Sequence, residues 1–221
     1  MSFIDLTLLI ENSMPTCGTP WHQKVEIGRL GTIPEVGRNT HRIVLGSHTG
    51  THMDAPYHFW QDGKTVESLE LNVLCGEISI VDFRSYGKGD VVPLSAIERQ
   101  RVTERMLFVF GWDKYWKSET YYKDFPYFSR EAVHYLIANG MRLMAMDTPS
   151  PDCGDMIGNT SQDSPNHKEL LTNGIVIVEY LTNTQCLNKG RKYRIMAFPL
   201  KIAGVDGSPC RVIAEETDYY V

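Results

Sequence analysis

The sequence predicts one α/β domain, with a mixed β-sheet and flanking helices. Three observations predict it. Short apolar runs recur along the chain, as buried strands do. Helical patterns are interleaved with them, which is typical of an α/β arrangement. The 221 residues suit a single domain, and no repeat, low-complexity tract or long Pro/Gly/Ser linker divides residues 1–221.

The predicted strands are short, apolar and partly β-branched. An N-terminal strand is expected around Asp5 and Thr7, and a strand over 40–48 leads directly into a group of histidines. The remaining strands are predicted at 76–83, 106–112, 141–147, 174–181 and 193–200, with a weaker candidate at 210–216.

Three segments have helical features. Pro93 suits the first turn of a helix, while Ser129 is a typical N-cap and Gly140 a typical end for a second helix. The apolar residues of that second helix recur at helical spacing and share one face. Helices are therefore predicted over 93–100 and 129–140, and a shorter one over Asn166–Leu171.

Charge and cysteine content argue against several classes of partner and location. The net charge of −5 disfavours a nucleic acid, because phosphate binding needs a basic face. No apolar run approaches the roughly 20 residues that cross a membrane. The N-terminal segment lacks the basic start and cleavage site of a signal peptide. The five cysteines are scattered without a C-x-x-C pair, which indicates reduced thiols in a cytoplasmic protein.

The segment "SHTGTHMDAPYHF" (47–59) concentrates polar residues that could carry chemistry: His48, His52, Asp54 and His58. A helix would separate them, since two residues rotate the chain by about 200°, and glycine and proline fit a helix interior poorly. In an extended chain these even-numbered residues project to one side. Apolar residues would then line the other side, namely Met53, Ala55, Tyr57 and Phe59.

These residue types suit a divalent metal. Neutral imidazole and carboxylate bind zinc and other first-row ions, so His48, His52 and Asp54 are the candidate ligands. Three protein ligands leave room for water, whose pKa a zinc ion can lower to about 7. His58 lies farther along the same face and is the candidate proton shuttle.

The same segment is compatible with roles that involve no metal catalysis. The histidines could simply face solvent, with Asp54 in a turn, or they could form a metal site without turnover. A serine hydrolase is disfavoured because Ser47 lacks the flanking glycines of G-x-S-x-G. Structural zinc sites usually fill all four positions with Cys and His, so the carboxylate favours catalysis.

The twelve residues "HTGTHMDAPYHF" resemble the H-x-G-T-H-x-D-x-P-x-H-F signature of the cyclase family of metal-dependent hydrolases, which includes bacterial kynurenine formamidases and isatin hydrolases. The stretches "MAMDTPSPD" (144–152) and "PLKIAGVDGSPCRVIAE" (199–215) are also similar to the family. The resemblance implies one cyclase-family domain over 1–221, of the swivelling β/β/α type with a mixed or barrel-like sheet.

The family signature continues with a His followed twelve positions later by a Glu, here His167 and Glu179. The resemblance implies that they complete a second metal position, bridged to the first by Asp54. A carboxylate that ends the apolar run "GIVIV" needs a partner, and either a metal ion or an Arg or Lys would serve. The resemblance also suggests that residues within 147–152 (Asp147, Thr148, Ser150 and Asp152) shape the loop or orient a histidine, although turn chemistry is the favoured explanation for these residue types. Asp206 and Gly207 are expected to form a turn.

One segment departs from the family. Where the family has a Pro-Gly-Asp-Pro-like stretch, this chain has "CGTP" (17–20), followed by Trp21 and His22. Trp21 could stack on an aromatic substrate, pack in the core or form a subunit contact. The histidines outside the signature, His22, His41 and His134, are expected to be structural or on the surface.

The resulting hypothesis is a hydrolase that cleaves an amide or lactam C–N bond with metal-activated water. N-formyl-L-kynurenine is one candidate substrate, and an isatin-like or lactone-like substrate is the alternative. The expected cofactor is one or two divalent ions per subunit, with zinc favoured over manganese. The family resemblance further implies a homodimer or a higher homo-oligomer.

Overall fold

The computed structural model describes residues 2–156 and 163–217. Among these residues the chain forms short helices and strands in alternation. The helices are α1 (Ile33–Val36), α2 (Leu71–Leu74), α3 (Leu94–Ile97), α4 (Glu119–Lys123), α5 (Arg130–Ala138) and α6 (Pro165–Thr172). The strands are β1 (Phe3–Asp5), β2 (Glu26–Gly31), β3 (Thr40–Val44), β4 (His52–Asp54), β5 (Cys75–Asp82), β6 (Val91–Val92), β7 (Arg105–Val109), β8 (Tyr127–Phe128), β9 (Leu143–Met146), β10 (Val176–Glu179), β11 (Tyr193–Pro199) and β12 (Gly207–Glu216).

Seven strands close into a barrel-like mixed sheet. Their order is β12-β11-β5-β7-β9-β10-β4, and β4 pairs back onto β12 to complete the circle. The neighbours from β5 through β10 run parallel, whereas β4, β11 and β12 pair antiparallel with their neighbours. Strand β1 extends the sheet along β12. The predicted α/β fold with a mixed, barrel-like sheet is confirmed.

Both faces of the central strands are buried, which explains why their sequences are continuous apolar runs. In β7, Met106 and Phe108 pack in the core that includes residues of the helices, such as Leu136 of α5. Their neighbours Leu107 and Val109 pack in a second core. Because side chains alternate across a strand, this second core fills the interior of the closed sheet.

Helix α5 has the ends that Ser129 and Gly140 predict. Ser129 Oγ accepts a hydrogen bond from the Ala132 N–H at 3.2 Å, and Gly140 has a φ of +87° just after the helix. The predicted helix over 93–100 is shorter, since α3 spans only Leu94–Ile97. The third predicted helix is confirmed as α6, and its first residue is a proline.

Most predicted strands are confirmed with shifts of one to three residues at their ends, but the strand expected over 40–48 is not part of the barrel. It stops at Val44 and forms an exposed hairpin with β2, which the sequence pattern did not predict. The weaker candidate at 210–216 belongs to β12, which has ten residues. The short strands β6 and β8 were also missed, because two residues carry no readable pattern.

No helix in the described ranges could cross a membrane, since α5, the longest, has nine residues.

Candidate active site

The candidate site lies where β4 passes between β10 and β12. In the β4–β10 ladder His52 lies opposite Glu179, and on the other side of β4 Asp54 lies opposite Gly207. The pairing with β10 therefore brings a carboxylate from residue 179 beside the histidine motif. Gly207 is required here, because a Cβ at this position would lie 2.8 Å from His48 Cε1. Gly207 begins β12 and does not lie in the turn that the sequence suggested.

The prediction of one extended segment is correct only in its middle. Strand β4 spans His52–Asp54, whereas His48 lies in a turn, Gly50 has a φ of +59°, and His58 ends a 3₁₀ turn that begins at Pro56. The left-handed glycine and the proline bend the chain at both ends of the strand. The polar side chains still converge, with the His48 ring centroid 5.0 Å from that of His52 and 4.1 Å from that of His58.

Phe59 was expected on the apolar side of this segment, and that expectation is wrong. Its ring lies 4.5 Å from the His58 ring and 5.6 Å from the His167 ring, and it lines the cavity beside them. The strand has ended by residue 59, so the two-residue alternation no longer applies. Met53 and Ala55 do face away from the site and are fully buried.

Asp54 is shared by two groups of possible ligands. Its Oδ1 lies 2.8 Å from His48 Nδ1 and 3.3 Å from His52 Nε2. Its Oδ2 lies 3.6 Å from His167 Nε2, which is also 3.1 Å from Glu179 Oε1. Ligand atoms of each group, His48/His52/Asp54 and Asp54/His167/Glu179, lie within 4.8 Å of one another. The structure thus brings together all five sequence-predicted ligands.

The hydrogen bonds of two histidines indicate that a cation belongs between these groups. His52 Nδ1 lies 2.8 Å from the Gly50 carbonyl oxygen, which can only accept, so Nδ1 carries the proton. His167 Nδ1 similarly donates to Asp152 Oδ2 at 2.7 Å. When the two rings are neutral, Nε2 of each ring carries a lone pair, and both lone pairs face the carboxylates of Asp54 and Glu179. A bound divalent cation accepts such lone pairs.

Two buried carboxylate oxygens support the same conclusion. Asp54 Oδ1 and Glu179 Oε1 are buried and accept no well-aligned hydrogen bond from the described residues; their close neighbours are the ring nitrogens of His48 and His167. Burial, together with the nearby Asp54 carboxylate, raises the pKa of Glu179 despite its histidine neighbours. Buried carboxylates without donors are costly unless they are paired or bind metal. The residues present therefore fit a divalent metal ion.

Asp206 is a functional candidate that sequence reasoning missed. Its Oδ2 lies 2.7 Å from His48 Nε2 and 2.9 Å from His58 Nδ1, so one carboxylate oxygen holds two rings of the motif. Burial raises the pKa of Asp206, but the hydrogen bonds from these histidines outweigh it and hold the pKa well below its usual range. Sequence reasoning assigned the segment "GVDGSP" to a turn, and no local signal reveals a contact 148 residues away.

Asp152 orients His167 and also caps its helix. Its Oδ2 accepts from the His167 backbone N–H at 3.0 Å and from the ring Nδ1, while Oδ1 accepts from the Asn166 N–H at 2.6 Å. The two backbone N–H groups lie in the first turn of α6, where they have no partner within the helix. Asp152 therefore fits histidine orientation rather than turn chemistry alone. Asp147 instead binds the Phe110 and Gly111 N–H groups and has a structural role.

A cavity of about 250 Å³ opens over the candidate ligands. Trp21 lines it and is 57% exposed, so packing of Trp21 in the core is excluded. His22, expected to be structural or on the surface, also lines the cavity, and its Nδ1 lies 2.8 Å from Cys17 Sγ. His41 and His134 are exposed, as expected.

Comparisons with known proteins agree with this geometry. The Cyclase family model, described as "Putative cyclase", matches residues 4–153. The chain is 34% identical over 173 residues to a kynurenine formamidase of Geobacillus thermodenitrificans (strain NG80-2), covering 78% of each protein. It resembles in fold isatin hydrolase A from Labrenzia aggregata, with a TM-score of 0.85, 24% identity and coverage of 96% and 93%. It is 26% identical to a structure described as a potential metal-dependent hydrolase with cyclase activity, with a TM-score of 0.72 and 96% coverage of both chains.

The family model covers well over half of the chain, and the identity to the relative extends over more than three quarters of it. Together with the closed mixed sheet and the His/Asp/Glu groups, these matches identify the class of protein. The chain belongs to the cyclase family of metal-dependent amide hydrolases, which act on carbon–nitrogen bonds other than peptide bonds.

Proposed function

We propose that this protein hydrolyses an arylformamide, with N-formyl-L-kynurenine as the first substrate to test, to formate and an arylamine. The observation that carries the proposal is the shared carboxylate of Asp54, whose buried oxygens lie between two sets of histidine and carboxylate ligands. The relatives named kynurenine formamidase support the choice of substrate. An isatin-like lactam is the second candidate, because isatin hydrolases share the fold.

The proposed metal ligands are His48, His52 and Asp54 at one position and Asp54, His167 and Glu179 at the other. When bound, a divalent ion would supply Lewis acidity, which acidifies water and polarises the amide carbonyl. Histidine with carboxylate favours zinc, and manganese is the alternative.

His58 is the proposed general base and acid. Its Nδ1 is engaged by Asp206, so Nε2 is the ring nitrogen that would take up a proton, and its side chain is partly exposed to the cavity. His58 accepts a proton from the attacking water and returns it to the departing arylamine nitrogen. Asp206 keeps the ring in one orientation and stabilises the imidazolium that forms after the first transfer.

The cavity walls suit an aromatic amide. Trp21, Phe59 and Tyr180 line it and offer faces or edges for a ring. Its volume of about 250 Å³ lies near the lower end of typical ligand cavities, so a one-ring substrate fits better than a polycyclic one. Trp21 is the proposed substrate-binding residue from the segment that departs from the family.

We also propose a homodimer in the cytoplasm. The hairpin of β2 and β3 and the adjoining helix expose several large apolar side chains, which an interface would bury: Leu30, Ile33, Val36 and Ile43. All five cysteines are unpaired, which supports a reducing compartment. Light scattering of the purified protein tests the dimer; a monomer at micromolar concentration would contradict it.

The function is tested by metal analysis of the purified protein together with a panel of N-formyl-L-kynurenine, isatin and simple lactones. We expect one or two zinc or manganese ions per chain and turnover of the formamide. Removal of the metal by a chelator should abolish turnover, and its return should restore it. Turnover that persists without metal, or metal-loaded protein that cleaves no amide or lactam, would contradict the proposal.

A further inference from the structure

Tyr180 follows the candidate ligand Glu179 directly and has an unusual backbone. Its φ is +59°, in the left-handed region where glycine or asparagine is normally found. For a bulky aromatic residue this conformation is strained, and such strain concentrates at functional sites. The position therefore calls for a reason beyond packing.

The surrounding structure holds this backbone conformation through two hydrogen bonds. The Thr51 hydroxyl donates to the Tyr180 carbonyl oxygen at 2.6 Å, and the Tyr180 N–H donates to the Thr148 carbonyl oxygen at 3.2 Å. Thr51 Oγ1 in turn accepts from the Leu8 N–H at 2.8 Å, so the threonine of the histidine motif links three segments. Tyr180 is fixed by the same motif that supplies the candidate ligands.

The Tyr180 side chain forms one wall of the cavity. Its ring lies 5.2 Å from the His52 ring, and the rings of Tyr121 and Tyr122 pack against it at 5.6 and 6.2 Å. The residue is only 7% exposed and lines the cavity. Packing on several sides fixes the ring, so its hydroxyl occupies a defined place.

The hydroxyl of Tyr180 forms no hydrogen bond with the residues that the structure describes, in contrast to its two tyrosine neighbours. The Tyr122 hydroxyl donates to the Pro15 carbonyl oxygen at 3.1 Å, and the Tyr121 hydroxyl lies 3.5 Å from the Asp147 carbonyl oxygen. A hydroxyl on a largely buried ring normally has a partner. A tyrosine hydroxyl is protonated at neutral pH and can donate a hydrogen bond.

We propose that the Tyr180 hydroxyl donates a hydrogen bond to the substrate and selects aryl amides whose ring carries a second acceptor, such as a carbonyl oxygen, beside the amide to be cleaved. The inference rests on the proposed function for the identity of the reacting amide. It makes Tyr180 a specificity-determining residue. An analogue without the acceptor would cover the hydroxyl, displace its water and leave it unpaired.

The test compares wild type with Tyr180→Phe, which removes the hydroxyl and keeps the ring. The substrates are 2-acetylformanilide and 2-ethylformanilide, which have the same carbon skeleton and differ in one acceptor, the carbonyl oxygen. We expect kcat/KM for the acetyl compound to fall about tenfold, as one lost hydrogen bond predicts, and that for the ethyl compound to change less than about twofold. Tyr122→Phe is the matched control, since the Tyr122 hydroxyl is already hydrogen-bonded to Pro15. This variant should leave the ratio of the two kcat/KM values unchanged.

Equal changes for the two substrates, or no change for either, would overturn the proposal. Metal content is measured in each variant, so a difference between substrates cannot come from lost metal. If wild type hydrolyses neither formanilide, the proposed function fails, and the same comparison is read from binding of the arylamines 2-aminoacetophenone and 2-ethylaniline. Tyr180→Phe should then weaken only the first, and equal affinities in both variants would overturn the inference.

Discussion

Replacement of Asp206 by Asn separates orientation of the histidines from binding of metal. One oxygen of Asp206 accepts hydrogen bonds from His48 Nε2 at 2.7 Å and from His58 Nδ1 at 2.9 Å. The substitution keeps the size of the side chain and removes its charge. A neutral acceptor holds the His58 ring less firmly and no longer stabilises the imidazolium formed during proton transfer.

The size of the effect follows from these contacts. A hydrogen bond to a charged group contributes about 1.5–3 kcal/mol, which corresponds to about a 10- to 150-fold change in rate. The Asp206 side chain is 33% exposed, so solvent screening favours the lower part of that range. We therefore expect kcat to fall about 10- to 50-fold in Asp206→Asn.

The assay is steady-state kinetics with metal content measured on the same preparation. We expect metal content equal to wild type, with the loss confined to kcat. Asp62→Asn, which changes an exposed carboxylate outside the cavity lining, is the control and should behave as wild type. Unchanged kcat would refute the orienting role. Loss of metal would refute a role confined to proton transfer and would show that Asp206 supports metal binding, either through His48 or as a ligand itself, since His48, His58 and Asp206 lie close enough to hold an ion.

Three further substitutions test other parts of the site and fold. His58→Ala should retain metal and lower kcat about 10²- to 10⁴-fold; unchanged turnover would remove His58 from the mechanism, and His134→Ala on the surface of α5 is its control. Asp54→Ala should release metal because both ligand groups share this carboxylate, and full occupancy would contradict the bridging role. Asp147→Asn should destabilise the fold by about 1–3 kcal/mol, because an amide nitrogen would face an N–H or O–H donor. Burial raises the pKa of Asp147 to about 6, so the folded protein binds a proton more tightly than the unfolded chain and wild-type stability declines as the pH rises through 6. Asp147→Asn should therefore lower the free energy of unfolding, measured with denaturant, by more at pH 5 than at pH 8. An equal decrease at both pH values would show that Asp147 does not titrate between them.

Much of the site could be predicted because its residues are close in sequence. His48, His52, Asp54 and His58 share one short segment, and their types alone indicate a divalent metal. Glu179 and His167 could be matched through the family pattern. The central strands were equally readable, since burial on both faces leaves a continuous apolar run. Where an element was exposed or very short, as in β2 and β6, no such signal existed.

The sequence by itself determined the residue types of the site, the apolar strands and the α/β class, because these depend on local periodicity and on the chemistry of each side chain. Only the tertiary structure decided how they meet. The register of β4 against β10 puts Glu179 opposite His52, and the left-handed Gly50 turns His48 toward Asp54. The roles of Asp206 and Tyr180 likewise depend on partners more than 100 residues away in the chain. Strand pairing and buried hydrogen bonds of this kind are set by long-range packing, which local sequence patterns do not reveal.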